Sequence, residues 1–580
     1  MSKFGIYFAG RDIVLPGVYS RVIADGMTPE RGVPSRALAI IAQAEGGEAG
    51  GVTRVTRPSQ IRELLVGGVG ARLVELAMMP SGEVQGANDI YFIRVRKPVR
   101  ATLDLGDAVL SAKIAGRVGN AVRARRTAAQ SGLSGAWDLY LEDTFRGLTE
   151  VYKDLGPVLE VTYVGGGTPP TNVSVTSSGG GVTLTLGSNT FTSDALPTLD
   201  KLADAINATS SWTARLVGPL VGVRTEDLPA QTVSLSADNK ALISLQGKAY
   251  EYALANSAIA TATASTGTPS AMGWTFFSGG SEGPTPTLQD WLDALALAEG
   301  LDVHGIVVGT GDLAVLAAAA GHVMAMSDAK NRKERILYCG PDLQPSKTAL
   351  MDAAKEIVRG IGGPRVVVVA AEPKLVDART GKLTVYPSYY TAAMLAGMKA
   401  GNRPEMPLTW RELSIFGLSY DYSTEELEDL LENGVVPVHF DPGRNKYLVT
   451  QGITSYTRDA NVIYRKVAGM DIADYLSKKI RLRLKRYIGR VGDQLTIKQL
   501  LNSVVGALQE EGRGPQNPDG VLTDGIDPAT GQPTPAFRNV EVVMDGFDAV
   551  AVRFEAHPVG EIAYILATAY LTPVRIVARA

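Results

Sequence analysis

The pattern of apolar and polar positions divides the chain into segments of different texture. Near the start, Ile13–Ile23 (IVLPGVYSRVI) is β-branched and aromatic, bends at Pro16 and Gly17, and is followed by Gly26, Pro29, Gly32 and Pro34. A proline-bearing apolar strand suits a sheet edge. With no hairpin partner close in sequence, it reads as an extended arm that pairs elsewhere. Short apolar runs then alternate with helical periods. Ala37–Ala42 predicts a buried strand, Ser59–Leu65 opens a helix running to Met79, and Asp89–Val95 predicts the next strand. This alternation predicts a sheet covered by helices.

From Arg100 to Thr268 the texture becomes Gly, Ser, Thr and Val. Short stretches at Leu159–Val164, Asn172–Thr176, Val182–Leu186 and Thr232–Leu235 are separated by turn residues such as Gly165–Gly167 and Ser177–Gly181. Strands of this length between turn clusters predict β-rich inserted domains, with one helix at Leu199–Ala208. The alternation of strands and helices then resumes. Strands are predicted at Trp274–Phe277, His304–Val308, Arg335–Tyr338 and Arg365–Ala370, and helices at Thr287–Glu299, Asp312–Met326 and Lys347–Arg359. Thr287 is placed to cap the first of these helices. The last part predicts strands at Val435–Phe440 and Leu448–Tyr456, helices at Asp471–Tyr487 and Ile497–Glu510, and a loop at Gly512–Pro535. Strands at Val540–Met544, Ala549–Ala556 and Ile562–Leu571 close it.

The predicted fold class is therefore multidomain α/β (α+β). It has an N-terminal arm (1–27), a discontinuous α/β core (28–100 plus 270–434), surface-exposed β-rich inserted domains (101–269), a C-terminal α+β domain (435–570) and a C-terminal arm (571–580).

Composition narrows the function. A net charge of −3 over 580 residues gives no case for nucleic-acid binding, and weak self-repulsion permits self-association. One cysteine, Cys339, excludes an internal disulfide and a cysteine-based zinc site. Four scattered histidines make no metal site, and no cofactor is expected. No apolar run reaches the ~18 residues of a membrane span, and the first residues lack a secretory pattern.

The enzyme-like signal is Gly279-Gly280-Ser281-Glu282-Gly283, a G-x-S-x-G match between a predicted strand and a helix. A nucleophile elbow delivers its serine straight into the helix, and here Pro284 and Pro286 intervene. The downstream histidines, His439 and His557, lie in strand contexts. Two charge features stand beside it. Thr424–Asn433 is an acidic helix containing Glu425 and Glu426 and stopped by Gly434. Ser477–Arg490 is basic. Ile472, Leu476, Ile480, Leu484 and Ile488 form its apolar stripe, and Lys478, Lys479, Arg481, Arg483, Lys485 and Arg486 fill the remaining surface. Such a helix is either a solvated face or a docking face for an acidic partner surface or a phosphate backbone, and no aromatic interleaving or groove-reading motif accompanies it to favour DNA.

Several segments, taken in order, resemble the contractile phage tail sheath family. Pro16-Gly17-Val18-Tyr19 is similar to its PGVY opening. Gly116–Val122 is similar to its PGxxGN segment, with Ala115 where the family has Pro. Phe277–Gly283 is similar to its L-x-GG-x-DG loop, with Glu282 for Asp, which gives Ser281 a loop role. Val385–Lys399, Leu413–Leu418 with Thr424–Gly434, and Phe537–Phe554 with Pro558–Leu571 resemble its later segments.

The resemblance implies a structural protein of the virion, assembled in the host cytoplasm, and no enzyme. It implies hexameric rings stacked as a helical sheath around a tail tube, with baseplate and tail terminator proteins as further partners. No nucleic acid and no membrane insertion are involved. It further implies that arm residues Val14, Val18, Tyr19, Val22, Ile23, Leu571, Val574 and Ile576 add strands to neighbouring copies. The C-terminal domain would face the tube, with Lys478, Lys479, Arg481, Arg483, Lys485, Arg486, Glu425 and Glu426 as contact candidates. Contraction from a metastable extended state would drive the tube through the host envelope. A bacteriocin or other injection device falls in the same class. The other readings are an α/β serine hydrolase using Ser281 and a non-contractile surface protein whose insertion binds a ligand.

Overall fold

The computed structural model describes the strands Ile6–Phe8 and Arg11–Ile13 and residues 36–563, apart from positions 49, 96, 179, 378–379, 527–529 and 547. Val14, Val18, Tyr19, Val22, Ile23, Leu571, Val574 and Ile576 lie outside the described residues.

Runs of four or five apolar residues with no polar alternation form strands buried on both faces. Leu38–Ala42, Gly305–Val308, Ile336–Cys339 and Val366–Ala370 are such runs, and every residue in them is buried. They are the centre of a nine-stranded sheet. Its order is Glu412–Leu413, Lys446–Val449, Val435–Asp441, Val366–Ala370, Ile336–Cys339, Gly305–Val308, Leu38–Ala42, Ile90–Arg94 and Val52–Val55. The six strands from Val435–Asp441 to Ile90–Arg94 run parallel, and the edges are antiparallel. Parallel pairs need crossover connections, and helices supply them. Leu288–Glu299, Leu313–Met326 and Lys347–Ile361 cover one face, and Gly68–Met78 with Ser388–Gly401 cover the other. Thr287 caps Leu288–Glu299 in a reciprocal capping box with Asp290.

Four features differ from the pattern-based expectation. The sequence pattern puts a strand at Val435–Phe440 in the C-terminal domain, but the strand Val435–Asp441 lies in the core sheet, where Val435 pairs with Val368. Its opening residues are buried on both faces, which is the signature of a central parallel strand. The core therefore runs on through Lys446–Val449. Second, Leu448–Tyr456 is a strand only to Val449, and the chain then leaves the sheet and returns to the start of Val366–Ala370, where the Ser455 hydroxyl donates to the Val366 carbonyl at 3.0 Å. Third, the first helix breaks at Gly67, leaving a π-type turn at Ile61–Leu65 before Gly68–Met78. Fourth, the helix Ser388–Gly401 has no counterpart among the predicted elements. Every residue from Ser388 to Ala400 is buried, so no polar face marks its period.

The insertion contains four small antiparallel sheets over one apolar cluster. It is rooted to the core by Arg94, whose buried guanidinium donates to the Ala115 carbonyl at 2.9 Å and the Glu282 carboxylate at 2.7 Å. The other oxygen of Glu282 accepts the Arg117 N–H at 2.9 Å. Past the core, helices Val467–Leu484 and Gln494–Gln509 and the ribbon Phe537–Asp545/Ala549–Ala556 enclose a separate apolar cluster around Ile472, Leu476, Ile480, Val504 and Leu508. No helix among the described residues is long and apolar enough to cross a membrane.

Candidate functional site: the docking seam and the open ribbon

The helix Val467–Leu484 carries two stripes. Ile472, Leu476 and Ile480 face the apolar cluster of the C-terminal module. Asp471, Asp474, Lys478 and Arg481, spaced three, four and three residues apart, share a second face. The charges on that face run acidic then basic, and each meets its opposite at the lower end of the core sheet. Arg36, Asp302 with His304, Glu334 and Arg365 all lie just before successive parallel strands.

At the acidic end, Arg36 donates both terminal nitrogens to Asp471, at 3.0 and 2.9 Å. The Lys399 ammonium approaches the same carboxylate at 2.9 Å, and its remaining protons go to the carbonyls of Pro404 at 2.7 Å and Met406 at 2.9 Å. His304 Nδ1 lies 3.5 Å from Asp471. Asp474 accepts a two-point bond from Arg365 at 2.6 and 2.7 Å. At the basic end, Lys478 meets Asp302 at 3.3 Å and Arg481 meets Glu334 at 2.5 Å.

Burial pushes the Asp471 carboxyl up, but Arg36, His304 and Lys399 together more than offset it and hold it well below the usual carboxylate range. Asp474, deeply buried with a single cation, stays raised because desolvation outweighs Arg365. Burial drives His304 down to about 3, so its ring is neutral at ordinary pH. The Lys399 pKa is also lowered by burial, against the pull of Asp471. A buried ion pair adds little net stability, yet breaking one is costly because a charge is left unpaired. The acidic-to-basic order therefore sets the register of the helix on the sheet: a slip by one turn would set like charges face to face.

The seam changes the standing of the charged candidates. Lys478 and Arg481 are spent inside the molecule. Lys479 pairs with Glu511 at 2.5 Å and Arg483 with Glu510 at 2.7 Å. Glu426 pairs with Lys347 at 2.7 Å and accepts the Ser423 N–H at 2.7 Å in a capping box. All five are engaged within the molecule, by partner acids and a lysine that lie far from them in sequence. Lys485, Arg486 and Glu425 are exposed. Arg486 also donates to the Ser503 hydroxyl at 3.2 Å.

The ribbon Phe537–Asp545/Ala549–Ala556 packs one face, through Val540, Val542, Val552 and Phe554, on the helix pair. Among the described residues neither strand pairs with a third. Two strands alone are marginal, and unpaired edges are templates for another chain.

Ser281 is not set up as a nucleophile. Its N–H and carbonyl pair with Val99 at 3.2 and 2.9 Å, and the four histidines are engaged elsewhere: His304 in the seam, His322 with Arg335, His439 with Thr450 and His557 with the Pro535 carbonyl. The crevice at the upper ends of Leu38–Ala42 and Gly305–Val308, where open α/β sheets bind ligands, is filled. An added Cβ on Gly309 would meet Ala42, Leu73 and Val69 at 2.7–3.3 Å.

A family model for the phage tail sheath protein central domain matches residues 285–455. Over that segment the chain is similar to the phage tail sheath proteins. The tail sheath protein of Bacillus phage SP01 is 25% identical over 538 residues, covering 88% of this chain and 90% of the relative. A crystal structure of a sheath tail protein from Desulfitobacterium hafniense superposes with a TM-score of 0.56 at 14% identity, covering 93% of this chain and 96% of the other. One from Listeria innocua superposes with 0.51 at 15% identity, over 90% and 95%. The structural likeness bears on the fold alone, and it includes the insertion and the C-terminal module because the coverage does. The sheath relatives are structural proteins, not enzymes.

Proposed function

We propose that this chain is the structural subunit of a contractile tail sheath. It polymerises as stacked hexameric rings around a tail tube and shortens from a metastable extended state to drive the tube through a host envelope. The observation that supports this reading, beside the sheath relatives, is the ribbon whose two edges take no third strand among the described residues, on a module joined to the core by buried ion pairs. Strand addition from a neighbouring copy would satisfy those edges. Val14, Val18, Tyr19, Val22 and Ile23 on one side, and Leu571, Val574 and Ile576 on the other, are the donor candidates. Lys485, Arg486 and Glu425 are the remaining candidates for charge contacts with the tube. Baseplate and terminator proteins would cap the ends, and the particle would be assembled in the host cytoplasm and act in the virion.

Shortening needs no nucleotide in this reading, because rigid subunits exchange one packing for a lower-energy one. The test is negative-stain electron microscopy of the purified chain at high concentration. Hollow ribbed cylinders are expected. A strictly monodisperse monomer at every concentration overturns the proposal.

A further inference from the structure

The insertion carries a surface that the ribbon and the seam do not use. In one of its two four-stranded sheets the order is Leu148–Leu155, Trp137–Asp143, Val122–Ala128 and Met272–Phe276. Strand alternation sends Val122, Ala124 and Arg126 inward and Arg123 and Arg125 outward. Opposite them on the neighbouring strand stand Glu142 and Tyr140. Next to Tyr140 on the far strand is Val151, 47% exposed, and on the near edge are Trp274, 40% exposed, and Phe276, 51% exposed.

The arginines are held in place. Arg123 lies 4.8 Å over Trp274 and 5.8 Å over Phe276, and donates twice to Glu142 at 2.8 and 2.6 Å. Arg125 lies 4.7 Å over Tyr140 and 5.8 Å from Trp274. Among the described residues Arg125 has no ion-pair partner, and its buried Nε makes no hydrogen bond. The face thus presents ordered aromatic and guanidinium groups, the side chains that dominate protein–protein contacts, with one uncompensated cation. Guanidinium groups already occupy the ring faces of Trp274 and Tyr140. Sugar rings stack on such faces, so the arrangement favours a protein partner.

The complementary surface is on the same chain. On the helix Thr424–Glu432, Glu426 and Asp429 turn inward to Lys347 and Lys355. Glu425, Glu428 and Glu432, spaced three and four apart, form an exposed outer stripe and have no ion-pair partner among the described residues. Among the described residues no ion pair within one copy joins the two surfaces. We propose that the arginine–aromatic face of the insertion docks on the acidic stripe of a second copy of this chain, with Arg125 meeting one of its carboxylates. This rests on the sheath reading, since it requires that copies associate.

The test uses the full chain. Cys339, the native thiol, is buried, so introduced thiols report cleanly. Val151→Cys and Glu428→Cys chains are mixed under assembly conditions and treated with a short bis-maleimide. Covalent heterodimers are expected in the mixture and not with Val151→Cys alone. Adding Arg125→Glu to the Val151→Cys chain should lower their yield at least tenfold, with circular dichroism confirming that the variant folds. Cylinders that assemble without the crosslink overturn this proposal and leave the sheath reading intact. A chain that never associates overturns both.

Discussion

Replacing Asp471 with alanine would leave Arg36 and Lys399 buried without the carboxylate that both contact. Breaking a buried pair in this way costs about 3–5 kcal/mol. Asp471→Ala, and equally Asp471→Asn, is therefore expected to lower the unfolding free energy by that amount, read from denaturant midpoints. The histidines predict the pH dependence. Burial drives His304 to about 3, and burial with Arg335 drives His322 to about 4. Both folded values lie below the unfolded one, so their contribution is full above pH ~6.5 and is lost as the pH falls, because the unfolded chain takes up the proton first. Asp471, depressed in the fold, acts in the same direction below the ordinary carboxylate range. Asp474, raised in the fold, acts in the opposite direction. Stability should fall between pH ~6.5 and 4 with a limiting slope of about 1.4 kcal/mol per pH unit for each histidine. His322→Gln keeps an acceptor for Arg335 without a titrating ring, and should flatten the slope by one histidine's share. An unchanged slope in that variant would remove His322 from the account.

At the scale of elements, the parallel strands of the core sheet were legible because a short, mostly apolar run bounded by turn residues is too short for a buried helix and suits a buried strand. So were the helices with a polar side. Thr287, Asp312 and Ser346 stand where caps were needed. The helix Ser388–Gly401 escaped for the opposite reason: packed on all sides, it has no polar stripe. Its contact with Gly68–Met78 depends on Gly397, where an added Cβ would collide with the Ala77 carbonyl oxygen and lie 2.6 Å from its Cα. Backbone cannot yield as a side chain can. Gly397→Ala should therefore destabilise the protein by about 2 kcal/mol despite the higher helix propensity of alanine, as calorimetry would show. The basic run of Val467–Leu484 was visible, but its role was not. Asp302 and Glu334, which neutralise Lys478 and Arg481, lie well over a hundred residues away in sequence, and only the fold brings them together.

For the whole molecule, the division between rigid and open parts locates where assembly is controlled. Core and C-terminal module are joined by the charged seam together with Val467 and Met470, which belong to the core's apolar cluster. A load on the module is therefore transmitted to the sheet and not absorbed between them. The ribbon edges are the opposite case: their backbone groups lack strand partners among the described residues, and each edge is strengthened only when another strand adds to it. If neighbouring copies supply that strand, removing residues 1–23 deletes one donor and removes none of the seam residues. The truncated chain should keep its circular dichroism spectrum and its denaturant midpoint within about 0.5 kcal/mol, the range of changes away from packed features. It should nevertheless form only short stacks where the full chain forms long cylinders, as measured by the length distribution in electron micrographs. Cylinders of unchanged length would show that the ribbon edge is filled by something other than this arm, and would move the donor role to residues 571–580.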